Sequence, residues 1–283
     1  MKKESLLFRT LVLVVAMMCA LGVSAQEAYA VYTADNTTLS FYYDNDRGTR
    51  TGTTYGLNDG PSDPGWVTDF TNLSVKQVVF DPSFESARPT STFYWFSGMR
   101  NLESITGMEY LNTSEVVRMD NMFNRCYKLT SLNLEKFNIA KVTDMSEMFR
   151  SCGALQTIYV GDGWKMSQMA LTSSHNVFKD CTSLVGGRGT AYDAAHVDAD
   201  YAHVDGGPDN PGYFSEKPAP MRGDVNSDGA VDIADVVLLI DVLLVNGTAP
   251  ENADCDQSGI VDIADVSALI DYMLTGSWSD VEP

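Results

Sequence analysis

Two blocks of this sequence repeat each other at a regular spacing, and this periodicity constrains the fold more than any other feature. Residues 122–134, MFNRCYKLTSLNL, match residues 148–160, MFRSCGALQTIYV, at a shift of 26. Further copies follow the same pattern, upstream at a shift of 27 and downstream at a shift of 29. A unit of this length cannot bury its apolar face alone, whereas stacked units bury a continuous core. The sequence therefore predicts a solenoid.

Each repeat unit combines two hydrophobic periods. The LxxLxL part alternates apolar and polar residues, which predicts a short strand. The VxxMxxMF part, as in residues 142–149, spaces its apolar residues three and four apart, which predicts a short helix. We therefore expect an α/β solenoid with one short strand and one short helix per unit of about 26 residues and a parallel sheet on one side.

The repeats resemble the BspA-like leucine-rich-repeat surface proteins of bacteria. The resemblance covers roughly residues 28–214, and its most specific part is the VTDMSEMF block with the MFxxC that follows. One departure is Arg100, which stands where later units have Cys. The resemblance implies leucine-rich repeats over 96–185, an N-terminal capping region with a degenerate repeat over 26–95, and a C-terminal cap over 186–214. It also implies a surface protein whose repeats bind a protein or a glycan.

Sulfur-containing side chains recur in register within the repeats, and we expect them to lie in the core. Cys126, Cys152 and Cys181 follow Met-Phe or Val-Phe pairs at equivalent positions. Stacked units would give these cysteines parallel Cβ vectors, which disfavour a disulfide, so we predict packed free thiols. The methionines expected in the core by the same reasoning are Met119, Met122, Met145 and Met148.

The N-terminal segment has the pattern of a secretory signal. A basic start, an apolar run over Leu11–Leu21 and a small-x-small site ending at Ala25 predict a signal peptide over residues 1–25. A lipoprotein anchor at Cys19 is the alternative, but the two methionines before it are bulky where such signals want small residues. No later segment is long and apolar enough to predict a transmembrane helix. We expect a secreted or bacterial cell-surface protein, with the periplasm as a further possibility.

A second and different repeat lies near the C-terminus. Residues 223–244 match residues 253–274 at a shift of 30, and VDIADV is identical in both copies. Each copy spaces oxygen-bearing residues along a loop, has glycine at the sixth position for a sharp turn, and runs into an apolar helical pattern over 236–244 or 266–274. A hard divalent cation takes six to eight oxygen ligands, so we predict two calcium ions, one in each loop. The expected ligands are Asp224, Asn226, Asp228, the Ala230 carbonyl, Asp232 and Asp235 in the first loop, and Asp254, Asp256, Ser258, the Ile260 carbonyl, Asp262 and Asp265 in the second.

The paired loop–helix units resemble a type I dockerin. The twelfth loop position is Asp rather than the Glu of a regulatory EF-hand, and prolines before the first loop leave no entering helix. The resemblance covers 223–276 and implies a small all-α module of two F-hand units, preceded by a linker over 215–222 and followed by a tail over 277–283. It implies docking to a cohesin-like module or surface scaffold, with the tenth and eleventh loop positions helping to choose the partner. These positions are Ile233, Ala234, Ile263 and Ala264.

The charge balance argues against nucleic acid as a partner. The chain has a formal net charge of −19, whereas phosphate contacts need clustered Lys and Arg. Residues 223–276 hold eleven acidic residues and no Lys or Arg. Such a cluster of carboxylates is self-repelling without a cation.

The sequence has no recognisable catalytic motif, and we expect a non-catalytic protein. Neither G-x-S-x-G nor H-E-x-x-H occurs, and a thin solenoid offers no deep cleft for the carboxylate pair of a glycosidase. The alternative is an accessory component or enzyme of extracellular polysaccharide degradation. AHVD occurs twice, and its residues either line a polar cap loop or bind a metal; they are His196, Asp198, His203 and Asp205.

Overall fold

The chain forms two compact units, Met1–Lys217 and Pro218–Pro283. In the described residues there is no helix with the length and hydropathy needed to cross a membrane. The predicted signal peptide lies outside the described residues except for Ala25. The computed structural model describes residues 25–68, 71–168, 171–217, 221–226, 230–245 and 249–278.

The first unit begins with a mixed five-stranded sheet. The strands are β1 Glu27–Tyr32, β2 Thr38–Asp44, β3 Thr53–Gly56, β4 Gln77–Phe80 and β5 Ser104–Thr106, and a single helical turn, α1, spans Gly65–Thr68. The strand order is β3-β1-β2-β4-β5, in which β1 is antiparallel to β2 and β3, while β4 is parallel to β2 and β5. The pairing of Val78 with Ile105 joins the degenerate first repeat to the next one, as the repeat spacing predicts.

A second sheet of three parallel strands continues the repeats. It contains β6 Ser131–Leu134, β7 Thr157–Val160 and β8 Ser215–Glu216, in that order. Leu132 pairs with Ile158, so the strands predicted from the LxxLxL pattern of these two repeats stack at a shift of 26. Their apolar side chains are buried and alternate with more exposed polar ones, as the pattern predicts for a strand with one face on the core.

The structure does not show the continuous parallel sheet of a leucine-rich-repeat solenoid. The strands fall into one mixed and one parallel sheet, and the first sheet contains an antiparallel N-terminal hairpin. Outside these strands, neighbouring repeats are joined by isolated parallel bridges that run from Ser91 through Arg118 and Asp144 to Ser173. The predicted parallel sheet on one side of the solenoid is therefore not formed as one sheet, although neighbouring repeats do stack in register.

No α-helix forms within residues 87–165, all of which the structure describes, so the short helix expected in each repeat is absent there; a 3-10 turn spans Met108–Tyr110. The N–H groups of Asn121 and Phe123 donate instead to the carbonyls of Ser146 and Met148 in the next repeat, at 2.9 and 2.8 Å. An α-helix would need these donors for its own i−4 carbonyls. Several residues of the repeats have positive φ, which also ends a right-handed helix. They are Tyr94, Asn121, Arg125, Glu147, Ser151, Asn176 and Asp180.

A column of phenylalanine rings runs through the repeat core. The ring centroids of Phe123 and Phe149 lie 5.7 Å apart, those of Phe149 and Phe178 lie 5.6 Å apart, and the rings of each pair are stacked nearly parallel. The column begins at Phe96 and ends against Phe214 of the C-terminal region. Phe123 and Phe149 recur at the same position of the 26-residue repeat, and their contact shows that these two repeats stack in register. The four core methionines predicted above are fully buried as well.

The boundaries of the C-terminal module differ from those expected. Residues 215–216 form β8 of the repeat sheet, so the linker predicted over 215–222 begins with a paired strand. Trp278, expected in a tail, stacks on Tyr272 with ring centroids 4.2 Å apart. Sequence periodicity alone does not predict the contacts that these two segments make.

The second unit consists of two helices that follow two loops. Helix α2 spans Ile233–Leu244 and α3 spans Ile263–Thr275, and a 3-10 turn over Glu251–Ala253 precedes the second loop. The expected all-α character of this module is therefore present. A small apolar core lies between the two halves, made of Val225, Val236, Leu239, Ala253, Cys255, Val266 and Leu269.

Candidate metal centre

Three carboxylates converge in the second loop of the C-terminal module. One oxygen each from Asp254, Asp256 and Asp265 lies within 4.8 Å of the others. Asp265 is fully buried, whereas the other two are partly exposed. Three negative side chains at this spacing repel one another, so the arrangement favours a cation among them.

The start of helix α3 holds Asp265 in place. Its Oδ1 accepts the N–H of Asp256 at 3.0 Å, and its Oδ2 accepts the N–H of Asp262 at 2.7 Å. Asp262 in turn caps the helix, because its Oδ1 accepts the N–H of Ala264 at 2.7 Å. This reciprocal capping box fixes the twelfth loop residue relative to the ninth, and the bond from the Asp256 N–H fixes it relative to the third.

The oxygens where the three carboxylates of the second loop converge fit a hard cation. Asp254 Oδ2 accepts the N–H of Gly259 at 2.9 Å, but no hydrogen-bond donor among the described residues reaches its buried Oδ1. Hydrogen bonds from Ser258 hold the pKa of Asp256 below its ordinary value, so that carboxylate stays ionised. A buried acceptor without a donor and an ionised neighbour together suit an ion that takes oxygen ligands.

The remaining predicted ligands of the second loop make contacts within the protein. Ser258 Oγ donates to the Ile260 carbonyl at 3.1 Å, which brings these two predicted ligands together. Asp262 is exposed and serves as the helix cap rather than joining the three converging carboxylates. The sequence signal for the capping role of Asp262 is the D-x-x-D spacing of Asp262 and Asp265, which resembles a capping box.

The first loop repeats the same hydrogen bonds. Asp235 Oδ1 accepts the N–H of Asn226 at 3.0 Å, and its Oδ2 accepts the N–H of Asp232 at 2.8 Å. Asp232 Oδ1 caps helix α2 through the N–H of Ala234 at 2.8 Å. The first predicted ligand, Asp224, is buried, whereas Ala230 is exposed. Asp228 lies outside the described residues.

Both helices begin three residues earlier than the apolar pattern indicates. The helical patterns start at Val236 and Val266, but α2 begins at Ile233 and α3 at Ile263. The capping boxes account for this earlier start, because the side chains of each box accept hydrogen bonds from free N–H groups of the first turn. The twelfth loop residue is therefore part of the helix, which orients its carboxylate towards the loop.

The residues predicted to contact a partner are exposed at the start of each helix. Ile233 and Ile263 expose 64% and 71% of their surface, which is unusual for isoleucine. Ala234 and Ala264 beside them are also exposed. Further along the helices other large apolar residues remain exposed, including Leu244 and Leu274. The module thus presents apolar surface in equivalent places on its two halves.

The alternative metal site in the first unit is not assembled among the described residues. His196 Nδ1 lies 3.0 Å from Asp200, and Asp205 accepts hydrogen bonds from Thr190 and from three backbone N–H groups nearby. Asp198 and His203 also contact backbone groups. These side chains hold the C-terminal cap of the repeats together, which agrees with the interpretation of a polar cap loop.

Comparisons with known families match two parts of the chain. Residues 222–274 match the family described as Dockerin type I domain. Residues 83–190 match the family described as Mycoplasma protein of unknown function, DUF285. No curated protein and no solved structure matches the chain.

The C-terminal module is a type I dockerin domain with two helices. Dockerin domains bind calcium, and the carboxylates that converge in the second loop lie within the matched residues. The domain implies a cohesin-like partner, and proteins with dockerins are typically extracellular or on the cell surface. The family matched by the repeats has no known function and does not itself identify leucine-rich repeats.

Proposed function

We propose that this protein is a non-catalytic secreted or cell-surface binding protein. In this proposal the repeat unit binds a protein or glycan, and the dockerin attaches it to a cohesin-like module of another protein. The observation that carries the proposal is the convergence of Asp254, Asp256 and Asp265 within a matched dockerin domain. The signal pattern at the N-terminus supports placement outside the cytoplasm.

The proposed calcium content is two ions, one per loop. The hydrogen bonds from the third and ninth loop residues to the twelfth are 3.0 and 2.8 Å long in the first loop, and 3.0 and 2.7 Å in the second. Because the capping boxes are also equivalent, the twelfth carboxylate is held in the same way in each half. The residues that would hold the ions are those predicted from the loop spacing, with Asp232 and Asp262 acting mainly as helix caps. Calcium in such a loop would neutralise clustered carboxylates and stabilise the folded module.

The proposed docking surface is the exposed apolar start of both helices. Ile233 and Ile263 occupy equivalent positions and are followed by alanines that leave the helix surface accessible. A partner that covers these residues would remove apolar surface from water. Because the two halves carry the same side chains there, the module could dock in either of two orientations.

The repeat unit is proposed as a leucine-rich-repeat-like scaffold for a ligand. Ion pairs link exposed side chains of successive repeats, such as Glu115 with Lys141 at 2.6 Å and Glu103 with Lys128 at 3.2 Å. Inter-repeat backbone hydrogen bonds and the phenylalanine column make the scaffold rigid. A rigid surface with variable exposed side chains suits binding at low entropic cost.

The test uses the full chain and a panel of immobilised type I cohesin modules. We expect calcium-dependent binding of the wild type by surface plasmon resonance and loss of binding in Asp224→Ala combined with Asp254→Ala. The charge-matched control is Asp59→Ala combined with Asp162→Ala, which removes two exposed carboxylates of the other unit. Calorimetry should count about two calcium ions per wild-type chain. Wild-type protein that binds no calcium, or a double loop variant that still docks, would contradict the proposal.

A separate assay addresses catalysis. The full chain is incubated with plant and host glycans, and released reducing ends are measured over time. We expect no hydrolysis above the rate with heat-denatured protein. Turnover that disappears on substitution of a surface carboxylate would favour the alternative of a polysaccharide-degrading enzyme.

A further inference from the structure

Two residues at the same repeat position reach from each loop of the dockerin to the other. Arg222 and Asn252 are related by the shift of 30 between the two copies, and each lies two residues before the first residue of its loop. Arg222 Nε and Nη2 donate to the carbonyl of Cys255 in the second loop, at 2.8 and 2.5 Å. Asn252 Nδ2 donates to the carbonyl of Asp224 in the first loop. The two halves of the module are therefore joined by reciprocal side-chain-to-backbone hydrogen bonds.

The bond from Arg222 ends beside the carboxylates of the second loop. Cys255 stands between Asp254 and Asp256, and its carbonyl belongs to the same peptide unit as the Asp256 N–H. That N–H donates to Asp265 Oδ1 at 3.0 Å. The carbonyl of this peptide unit thus accepts hydrogen bonds from Arg222, and its N–H donates one to the predicted ligand Asp265. Hydrogen bonds in such chains strengthen one another.

The bond from Asn252 ends on the first ligand of the first loop. Its acceptor is the backbone carbonyl of Asp224, and the side chains of both residues are buried. The Asn252 carbonyl accepts the N–H of Gly223 at 2.9 Å, so Asn252 contacts two successive residues at the start of that loop. Movement of the first loop would therefore displace the residues that lead into the second.

Arg222 is itself held in position by the end of the module. Its guanidinium lies 4.4 Å from the ring of Trp278, which stacks on Tyr272 of helix α3. Next to it, Gly223 has φ of +86°, and a Cβ there would come within 2.6 Å of the Trp278 ring. Arg222 is the only Lys or Arg between residues 218 and 283. The guanidinium is thus fixed in orientation by packing, which suits a positioning role.

We propose that Arg222 and Asn252 are positioning residues that couple the two calcium loops. An ion that binds one loop fixes the backbone at the start of that loop. Through the reciprocal hydrogen bonds, the fixed backbone also restricts the residues at the start of the other loop. The second ion then enters a loop whose ligands are already arranged, so binding of the two ions is positively cooperative. This inference rests on the proposed binding of one ion per loop.

The experiment measures macroscopic calcium constants of the full chain by competition with a chromophoric chelator. Two independent equal sites give a second dissociation constant four times the first, by statistics alone. In the wild type we expect the second ion to bind about 5- to 20-fold more tightly than this statistical value, at the lower end of typical couplings. Asn252→Leu should return the ratio to the statistical value while both ions still bind.

Arg222→Lys provides a second variant that distinguishes geometry from charge. Lysine keeps the positive charge but cannot form the paired bonds to the Cys255 carbonyl. We expect Arg222→Lys to lose cooperativity as Asn252→Leu does. Because Arg222 is only half-buried, this variant still tests the proposal if substitution of the buried Asn252 prevents folding. The control is Val237→Ala, an exposed residue of helix α2 outside both loops and outside the reciprocal bonds, which should keep the wild-type ratio.

The outcomes separate this inference from the proposed function. A wild-type chain that binds two ions with statistical constants overturns the coupling and leaves the proposed function intact. Retained cooperativity in both Asn252→Leu and Arg222→Lys overturns the assignment of these residues. A wild-type chain that binds no calcium overturns the proposed function and this inference together.

Discussion

The thiol of Cys152 donates a hydrogen bond to the carbonyl oxygen of Phe123, with Sγ 3.0 Å from the oxygen. The same bond joins Cys126 to Phe96 and Cys181 to Phe149, at 3.3 and 2.9 Å. Each of these carbonyls also accepts a backbone N–H of its own repeat, so the cysteine of the next repeat gives it a second hydrogen bond. Because thiols are weak donors but pack well in apolar cores, cysteine suits this position better than a larger side chain.

Substitution of this cysteine should loosen the contact between repeats. We expect Cys152→Ala to lower the free energy of unfolding of the repeat unit by about 1–2 kcal/mol, through the lost hydrogen bond and a small cavity. Chemical denaturation followed by tryptophan fluorescence measures the change. Gln156→Ala, at an exposed position of the same repeat, is the control. Equal stability of the two variants would show that the thiol contributes nothing to stacking.

The buried thiols should also be unreactive in the native protein. Burial raises the pKa of Cys152 well above its ordinary value and that of Cys181 to about 12. Residues 26–283 contain four cysteines, all of them buried and free. At pH 8, a thiol reagent should react with none of them in the folded chain and with about four after denaturation without reductant. Recovery of two or none after denaturation would reveal disulfides.

The phenylalanine column should dominate the stability of the repeat unit. Phe149 contacts Phe123, Phe178 and Phe214, with ring centroids between 5.6 and 6.3 Å. Phe149→Ala should therefore cost about 3–5 kcal/mol, the range for a large aromatic removed from a core. Phe149→Leu keeps much of the apolar volume and should cost clearly less. Thermal unfolding of both variants tests the order, and a negligible loss in the alanine variant would contradict the stacking.

Sequence periodicity predicted which repeats contact one another but not the path of the backbone between their strands. The shifts of 26 and 27 recur in the observed pairs Leu132–Ile158 and Val78–Ile105. The spacing of apolar residues by three and four suits a helix and equally suits consecutive turns. Whether a helix or turns form depends on where an N–H group such as that of Phe123 donates its hydrogen bond, within its own repeat or to the Met148 carbonyl of the next one. This depends on the packing of the repeats, which is a tertiary effect.

The calcium loops were more predictable because their chemistry is local. Spacing along the chain placed Asp254, Asp256 and Asp265 together without knowledge of the rest of the fold. The reciprocal contacts of Arg222 and Asn252 could not be predicted in this way, since they depend on how the two halves pack. Their equivalent positions in the C-terminal repeat were the only sequence signal.

Asp205 should make the stability of the repeat unit depend on acidic pH. Although burial opposes ionisation, hydrogen bonds from Thr190, Gly207 and Arg188 lower the pKa of this carboxyl well below its ordinary value. A depressed folded-state pKa means that the stabilisation is fully present above the unfolded pKa of about 3.9 and is lost progressively as the pH falls from there through the folded-state pKa. Asp205→Asn should cost about 1–3 kcal/mol at pH 7 and less at pH 2.

Denaturant unfolding of wild type and Asp205→Asn across this pH range gives the comparison. Asp209→Asn is the control, because Asp209 is an exposed carboxylate in the same cap. A difference between wild type and Asp205→Asn that stays constant from pH 7 to pH 2 would show that ionisation of Asp205 is not the cause.

Arg125 offers a direct test of the turn geometry against the helix expected from the sequence. Its side chain is exposed and its φ is +63°, a left-handed conformation that costs a residue with a Cβ roughly 1–2 kcal/mol. In the observed turn, Arg125→Gly should therefore be more stable than Arg125→Ala by about 1 kcal/mol. In a helix the order would reverse, because glycine is about 1 kcal/mol worse than alanine there. Denaturation midpoints of the two variants decide between the geometries, and greater stability of the alanine variant would contradict the structure of this segment.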